Sequence, residues 1–422
     1  MNEVHDVLSV PMTPGGPPAF PQATWIAVLD LADVDAAEAE SGVVCSAGQA
    51  DGCTRARILV RNGLTPLRFV EVPIVDAQVR VPLPDCEAAP DTTPPLPPIS
   101  VVLCTRERPD DLRGALASLR ALDYPDYEIV VVDNAPITDS TERVVDETGD
   151  PRIRRVVEPV PGLSSARNAG LRAARNAVVA YTDDDVVADA GWLRGIALGF
   201  SRGGDVACVC GTVPSGELRT LSQAYFDWRV SWSENLEPRI YRLSEPPADL
   251  PLFPFQVGAY GTGANFAVRR DVVRALGAFD ERLGAGTRTR GGEDLDLFFR
   301  VLAAGHALAV EPSSIIWHRH RSDSDALLSQ ARGYGVGLGA WLTKVALTRD
   351  HRRLAFSVVC RRFRAVGRAG AAYAAIAAPP PEFTADLPSS VGRTEVLSVL
   401  RGPGALWSEG RRRGLVAAGG AE

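Results

Sequence analysis

The sequence predicts an α/β protein: a mostly parallel sheet flanked by helices, with a small β-rich module before it and a helical region after it. Three observations carry this reading. From Ile99 onward, short apolar runs alternate with segments of helical periodicity, the pattern of strands joined by helical crossovers. Upstream, β-prone runs follow one another with no helix between them. Between Ala88 and Pro98, prolines at 90, 94, 95, 97 and 98 favour an extended linker over any packed element. The expected division is a module over residues 1–88, a linker over 89–98, a core domain over 99–325 and an Arg- and Ala-rich helical region over 326–422.

In the module, Trp25 to Leu31, Arg57 to Arg61, Pro66 to Val72 and Ala77 to Val81 are the expected strands, with Asn62-Gly63 as a hairpin turn. In the core, the run Ile99 to Leu103 is apolar throughout and reads as a buried strand. Leu112, Ala115, Leu116 and Leu119 then repeat at helical spacing. Glu128 to Val132 is a second buried strand, closed by Asp133-Asn134, and Thr138 or Asp139 can cap the helix that follows. Later units are strands at Ile153 to Val157 and Ala177 to Tyr181 and helices at Ser164 to Ala174 and Gly191 to Arg202. Glu293-Asp294 opens a helix whose Leu295, Phe298, Phe299 and Leu302 face the core. Near the end, Arg352, Arg353, Arg361, Arg362, Arg364 and Arg368 interleave with Leu354, Phe356, Val358, Val359 and Phe363. Such a helix either packs on the core with its arginines in water or lies on an anionic membrane surface.

Composition removes several functions. With 422 residues, 45% of them hydrophobic, the chain can bury a substantial core. A net charge of -7 argues against nucleic acid as a partner, because phosphate binding needs clustered excess cations. Lys344 is the one lysine and Val345 follows it, so a P-loop is excluded and Schiff-base chemistry loses its usual nucleophile. The seven cysteines form no C-x-x-C, and Cys208 and Cys210 read as buried positions on one strand face. Met1 to Val10 shows no basic, then apolar, leader, and no segment approaches the ~20 apolar residues of a membrane span. The expected location is cytoplasmic, with membrane association left open through the basic helix.

Ligands of such sheets collect at the carboxyl ends of the strands. Polar groups stand there in order: Thr105-Arg106, Asp133, then Asp183-Asp184-Asp185. On extended chain alternate side chains share a face, so Asp183 and Asp185 converge while Asp184 points away. Two carboxylates can hold one hard cation such as Mg²⁺, which also takes phosphate oxygens. The bland alternative is a solvated turn that caps the next helix. Tyr225, Phe226, Trp228 and Trp232, with Phe253 and Phe255, are either aromatic faces for an acceptor or core.

The ordered segments Cys104-Thr105-Arg106-Glu107-Arg108-Pro109, Val132-Asp133-Asn134, Gly162 to Gly170 with Arg167-Asn168, and Thr182-Asp183-Asp184-Asp185 resemble the nucleotide-binding half of family-2 glycosyltransferases with the A-type fold. Gly261-Thr262-Gly263-Ala264-Asn265, Gly291-Gly292-Glu293-Asp294-Leu295-Asp296 and Trp317-His318-Arg319-His320-Arg321 are similar to the acceptor half. The resemblance runs from about Ser100 to His320 and implies halves over 99–213 and 214–325. It implies donor contacts from Thr105, Arg106, Asp133, Arg167, Asp183 and Asp184, with the forked Arg167 near the diphosphate. It further implies a divalent metal, Mg²⁺ or Mn²⁺, on Asp185 and Asp183 with His318 as a third ligand, and a catalytic base at Asp294 beside Glu293. A structural histidine is the alternative for His318, and pairing with Asp133 or the acidic triplet is the alternative for Arg167. The implied reaction is inverting transfer of a sugar from a nucleotide-diphosphate sugar, most often a UDP-sugar, to the hydroxyl of a glycan, lipid-linked or small-molecule acceptor. A sugar nucleotidyltransferase is the alternative enzyme, although Cys104 to Pro109 lacks the glycine-rich loop it needs. A silent nucleotide-sugar-binding scaffold would not need both acidic clusters.

Overall fold

The computed structural model describes residues 4–34, 42–84, 94–230, 232–233, 235–366 and 391–419, with side chains to 360 and 414 in the last two runs. Its elements are β1 (Leu8–Ser9), β2 (Thr24–Asp30), β3 (Val43–Ser46), β4 (Arg55–Asn62), β5 (Thr65–Pro73), β6 (Gln78–Val81), β7 (Ile99–Thr105), α1 (Pro109–Arg120), β8 (Tyr127–Asn134), α2 (Ser140–Thr148), β9 (Ile153–Glu158), α3 (Leu163–Ala173), β10 (Val178–Thr182), β11 (Val186–Ala188), α4 (Trp192–Ser201), β12 (Val206–Thr212), α5 (Leu221–Val230), β13 (Arg239–Tyr241), β14 (Asn265–Arg269), α6 (Arg270–Ala275), α7 (Glu293–Ala303), β15 (Ala307–His318), α8 (Ser324–Leu347) and α9 (Arg349–Val366). Two further helices, Val391–Val399 and Gly402–Gly419, follow.

The α/β class read from the sequence is the class observed. A large sheet in the order β11-β15-β12-β14-β10-β7-β8-β9, with β13 also on β15, forms the centre. The side from β10 to β9 is parallel, as is β12 on β15. By contrast β14 runs antiparallel to both β10 and β12, and β11 and β13 run antiparallel to β15. Alternation along the strands builds two cores. Ile99, Val101 and Leu103 point into one with Ile129 and Val131, while Val102 points into the other with Val130 and Val132. The α1, α2 and α4 helices cover the first face, and α3, α6, α7 and α8 the second.

The N-terminal residues form a sheet in the order β1-β2-β4-β5 and a β3-β6 pair. The β4-β5 hairpin pairs Asn62 with Thr65, so its turn is Gly63-Leu64, one residue past the expected Asn62-Gly63, and Gly63 takes φ +57°. This module rests on the large sheet: Met12, Ile26, Val28 and Leu59 pack with Leu218, Ile315 and Trp317, and Arg61 pairs with Asp189 at 2.9 Å. Residues 85–93, which include the first half of the expected linker, lie outside the described residues, and the stretch from there to Pro98 has no regular structure.

At the C-terminal side, α8 approaches its neighbours through glycines. A Cβ on Gly335 or Gly339 would stand 2.1 or 2.0 Å from the carbonyl oxygens of Glu395 and Val399. The basic α9 packs one face on the core through His351, Leu354 and Val358, with Arg352 and Arg353 in water. The side chains of Arg361, Arg362 and Arg364, and all of Arg368, lie outside the described residues. Among the described residues, no helix is long and apolar enough to cross a membrane.

Candidate active site

The carboxyl ends of β7, β8 and β10 open on one cavity of about 730 Å³, within the usual range for a small-ligand site. The acidic turn leaves β10 at Thr182 and enters β11 at Val186, where antiparallel pairing sets Val186 opposite His318. That pairing brings Asp183, Asp185 and His318 together: one ligand atom from each lies within 4.8 Å of the others. Ligands across an ion with bonds of about 2.0–2.1 Å stand roughly 4 Å apart, so a small closure would fit this trio to a divalent cation.

The chemistry of the donors suits that fit. Burial pushes the Asp183 carboxyl up to about 7 against the pull of Arg167, while Asp185 and Asp184 repel its charge. Burial also works against charge on Asp185, but His318, Arg108 and Arg321 overcome it and hold that carboxyl below its usual range. Burial lowers the His318 pKa, which favours the neutral imidazole that a metal needs. The His318 Nε2 lies 3.4 Å from Asp185 Oδ1, and its buried Nδ1 has no hydrogen-bond partner. Asp184 turns the other way: it accepts from Thr105 Oγ1 at 2.7 Å and from Arg108 Nη1 at 2.5 Å.

The opposite wall is the start of α7. Gly292, at φ +90°, turns the chain into the helix, and a Cβ there would meet the Gly337 carbonyl oxygen at 2.7 Å. Gly284, Gly286 and Arg290 also adopt positive φ in this wall. Glu293 is buried and accepts from Arg167 Nη1 at 3.0 Å, whereas the partly exposed Asp294 lines the cavity. Arg167, on α3, donates from Nη2 to the Gly263 carbonyl at 2.9 Å and sets the same nitrogen 3.7 Å from Asp183. Gly263 lies close against both groups: a Cβ there would stand 3.1 Å from Arg167 Nη2 and 3.2 Å from Asp294 Oδ2.

Placement differs from expectation at several residues. Asp133 is fully buried, bonded to Arg155 at 3.0 Å, and does not line the cavity; its neighbour Asn134 does. Asn134 also accepts from Gly162 N at 2.9 Å and so fixes the entry to α3. The Thr105 hydroxyl is engaged by Asp184, and Arg106 is exposed on the cavity wall. Arg167 pairs with Glu293 and Asp183, and Asp133 with Arg155 instead. Phe253 is core, and Phe255 packs against that core, whereas Tyr225, Phe226 and Trp232 line the cavity. Sequence reasoning missed Arg108 and Arg321, which stand 3.3 and 3.6 Å from Asp185. Arg108 sits two residues past Arg106 on the same loop, and that spacing was the available signal. Nothing in the sequence marked Tyr334 of α8, which also lines the cavity.

Residues 100–277 match the family model described as glycosyl transferase family 2. An uncharacterized glycosyltransferase of Mycobacterium bovis is 31% identical over 212 residues, 49% of this chain and 80% of that protein. The chain belongs to glycosyltransferase family 2. The pre-mycofactocin glycosyltransferase of Mycobacterium tuberculosis is 28% identical over 237 residues, 56% of this chain and 46% of that protein. The chain thus spans about half the length of that curated relative. A mannosyltransferase from Pyrobaculum calidifontis, solved with GDP-Man and Mn²⁺, is 16% identical, with a TM-score of 0.48 over 74% of this chain and 89% of that one.

Proposed function

We propose that the protein transfers a sugar, with inversion, from a nucleotide-diphosphate sugar to an acceptor hydroxyl. A UDP-sugar is the first donor to test. One observation carries the proposal: the acidic turn and the Glu293-Asp294 pair line the same cavity, spanned by Arg167. Residues 99–213 would hold the donor and 214–325 the acceptor.

In this reading Asp294 takes the acceptor's proton as its oxygen bonds to the anomeric carbon. The bond from that carbon to the diphosphate oxygen breaks, and its electron pair leaves with the diphosphate. General-base help of this kind is worth ~10²–10⁴ in rate. Arg108, Arg167 and Arg321 supply positive charge where the donor's diphosphate would lie. Asp184 orients Arg108, and Glu293 orients Arg167. Asp183, Asp185 and His318 would hold Mg²⁺ or Mn²⁺, which when bound offsets negative charge on a leaving diphosphate. The whole chain, given labelled nucleotide sugars, Mn²⁺ and acceptor, should release nucleoside diphosphate and a product of inverted anomeric configuration. Release of pyrophosphate from a nucleoside triphosphate would favour a nucleotidyltransferase instead.

Peripheral membrane contact is a second element of the proposal, supported by Phe356 and Val359 exposed on the same helix as Arg352 and Arg353. Salt-sensitive co-sedimentation with anionic liposomes tests it, and no pelleting at low salt would end it.

A further inference from the structure

The cavity has two unlike ends. At one stand Asp183, Asp185 and His318 with Arg108, Arg167 and Arg321. From there a run of rings leads away: His318 to His320 at 5.0 Å, His320 to Phe226 at 4.6 Å, then Phe226 to Trp232 at 5.6 Å and to Tyr334 at 6.1 Å. Leu327 and Ala331 of α8 and Val391 of the helix Val391–Val399 close this far end, packed in one apolar cluster with Phe226. Tyr334 lines the cavity with 41% of its surface in water. A donor's diphosphate and sugar are polar throughout and match the first end. Gln330 and the Arg229–Glu395 ion pair also line this end, an annex of the same cavity, beside the apolar strip of Phe226, Trp232, Leu327 and Ala331, and that strip favours an occupant with an apolar part.

We propose that the acceptor is an amphiphile: a hydroxyl carried on an aromatic or aliphatic body, with the body lodged against Phe226, Trp232, Leu327, Ala331 and Tyr334 and the hydroxyl presented to Asp294. This rests on the glycosyl-transfer reading and adds the acceptor's chemical class to it. A wholly polar acceptor would leave that strip wet and gain nothing from it.

Titration calorimetry of the full chain, with UDP and Mn²⁺ present, should show octyl β-glucoside below its micelle concentration binding at least tenfold more tightly than glucose. Ala331→Trp, which fills the annex, should weaken octyl glucoside binding at least tenfold. Tyr334→Ala, a truncation of an exposed ring, should weaken it several-fold, and so carries the test if the first variant misfolds. Both should keep metal-dependent UDP binding. Equal affinity for glucose and octyl glucoside, or unchanged octyl glucoside binding in both variants, overturns the proposal. If the annex instead holds a second copy of this chain, the titration is flat, sedimentation shows a dimer, and the proposal fails. Loss of metal-dependent UDP binding in the unmodified chain would sink the transferase reading instead, so the two failures are distinguishable.

Discussion

Arg167 and Glu293, 126 positions apart, form a 3.0 Å ion pair with side chains only 3% and 8% exposed. The pair joins α3 to the first turn of α7, and the second Nη of Arg167 reaches toward Asp183. Both walls of the cavity therefore share one guanidinium, and the charges on either side are set by it.

Breaking this pair should be costly. Removing one partner of a buried ion pair leaves an uncompensated charge and typically destabilises by ~3–5 kcal/mol. Arg167→Leu should lower the unfolding free energy by about that amount in denaturant titrations. The loss should be smaller below neutral pH, where Glu293 can take up a proton.

The pH dependence of the unmodified protein follows from the same carboxyl. Burial and the adjacent Asp294 push the Glu293 pKa up to about 7, against the pull of Arg167, from an ordinary value of 4.5. Between those values the folded chain keeps a proton that the unfolded chain has released, so this group lowers stability as pH rises and is level above about 7. Asp183 adds a similar portion. Glu293→Gln should therefore reduce, without abolishing, the fall in Tm between about pH 5 and pH 7.5. An unchanged slope would contradict the environment described for Glu293.

For Asp294→Asn, transfer should drop ~10²–10⁴-fold while metal-dependent donor binding is largely kept. Single-turnover kinetics beside a donor titration separates the two, and wild-type turnover would remove Asp294 as the base.

Asp185→Ala should weaken Mn²⁺-dependent nucleotide binding at least tenfold, about 1.4 kcal/mol or more. His318→Ala should weaken it less, because one neutral ligand is lost and both carboxylates stay. A metal titration unchanged in both variants would refute the trio as a cation site.

Gly195 tests the packing beneath the site. A Cβ there would stand 2.4 Å from Ser314 N and 2.5 Å from the Ser313 carbonyl carbon, both backbone atoms that cannot move aside cheaply. Gly195→Ala should cost ~1–3 kcal/mol by forcing α4 off β15, read as a lower denaturant midpoint.

The strands and helices around Ile99 to Arg202 were legible because each carries its own period, and the acidic turn was legible because extended chain separates Asp183 and Asp185 from Asp184. The antiparallel β14 was not, since an apolar run does not encode direction. Asp133 and Asn134 show the same limit at a single step. Both sit at a strand end, and only the loop returning from β9, fixed by Asn134, decides which of them meets the cavity. Arg108 and Arg321 escaped for a related reason: an arginine's long side chain reaches partners that spacing along the chain does not announce.

His318 closes a strand hydrogen-bonded to β11, β12 and β13. Its distance from Asp183 and Asp185 is therefore mounted on sheet register, and a ligand gate on that side would require sliding three neighbours at once. The facing rim is built differently, from turns at Gly284, Gly286, Arg290 and Gly292 that bend the backbone leftward and not from strand pairing. One wall of the cavity thus takes its position from sheet register and the other from the geometry of a few turns.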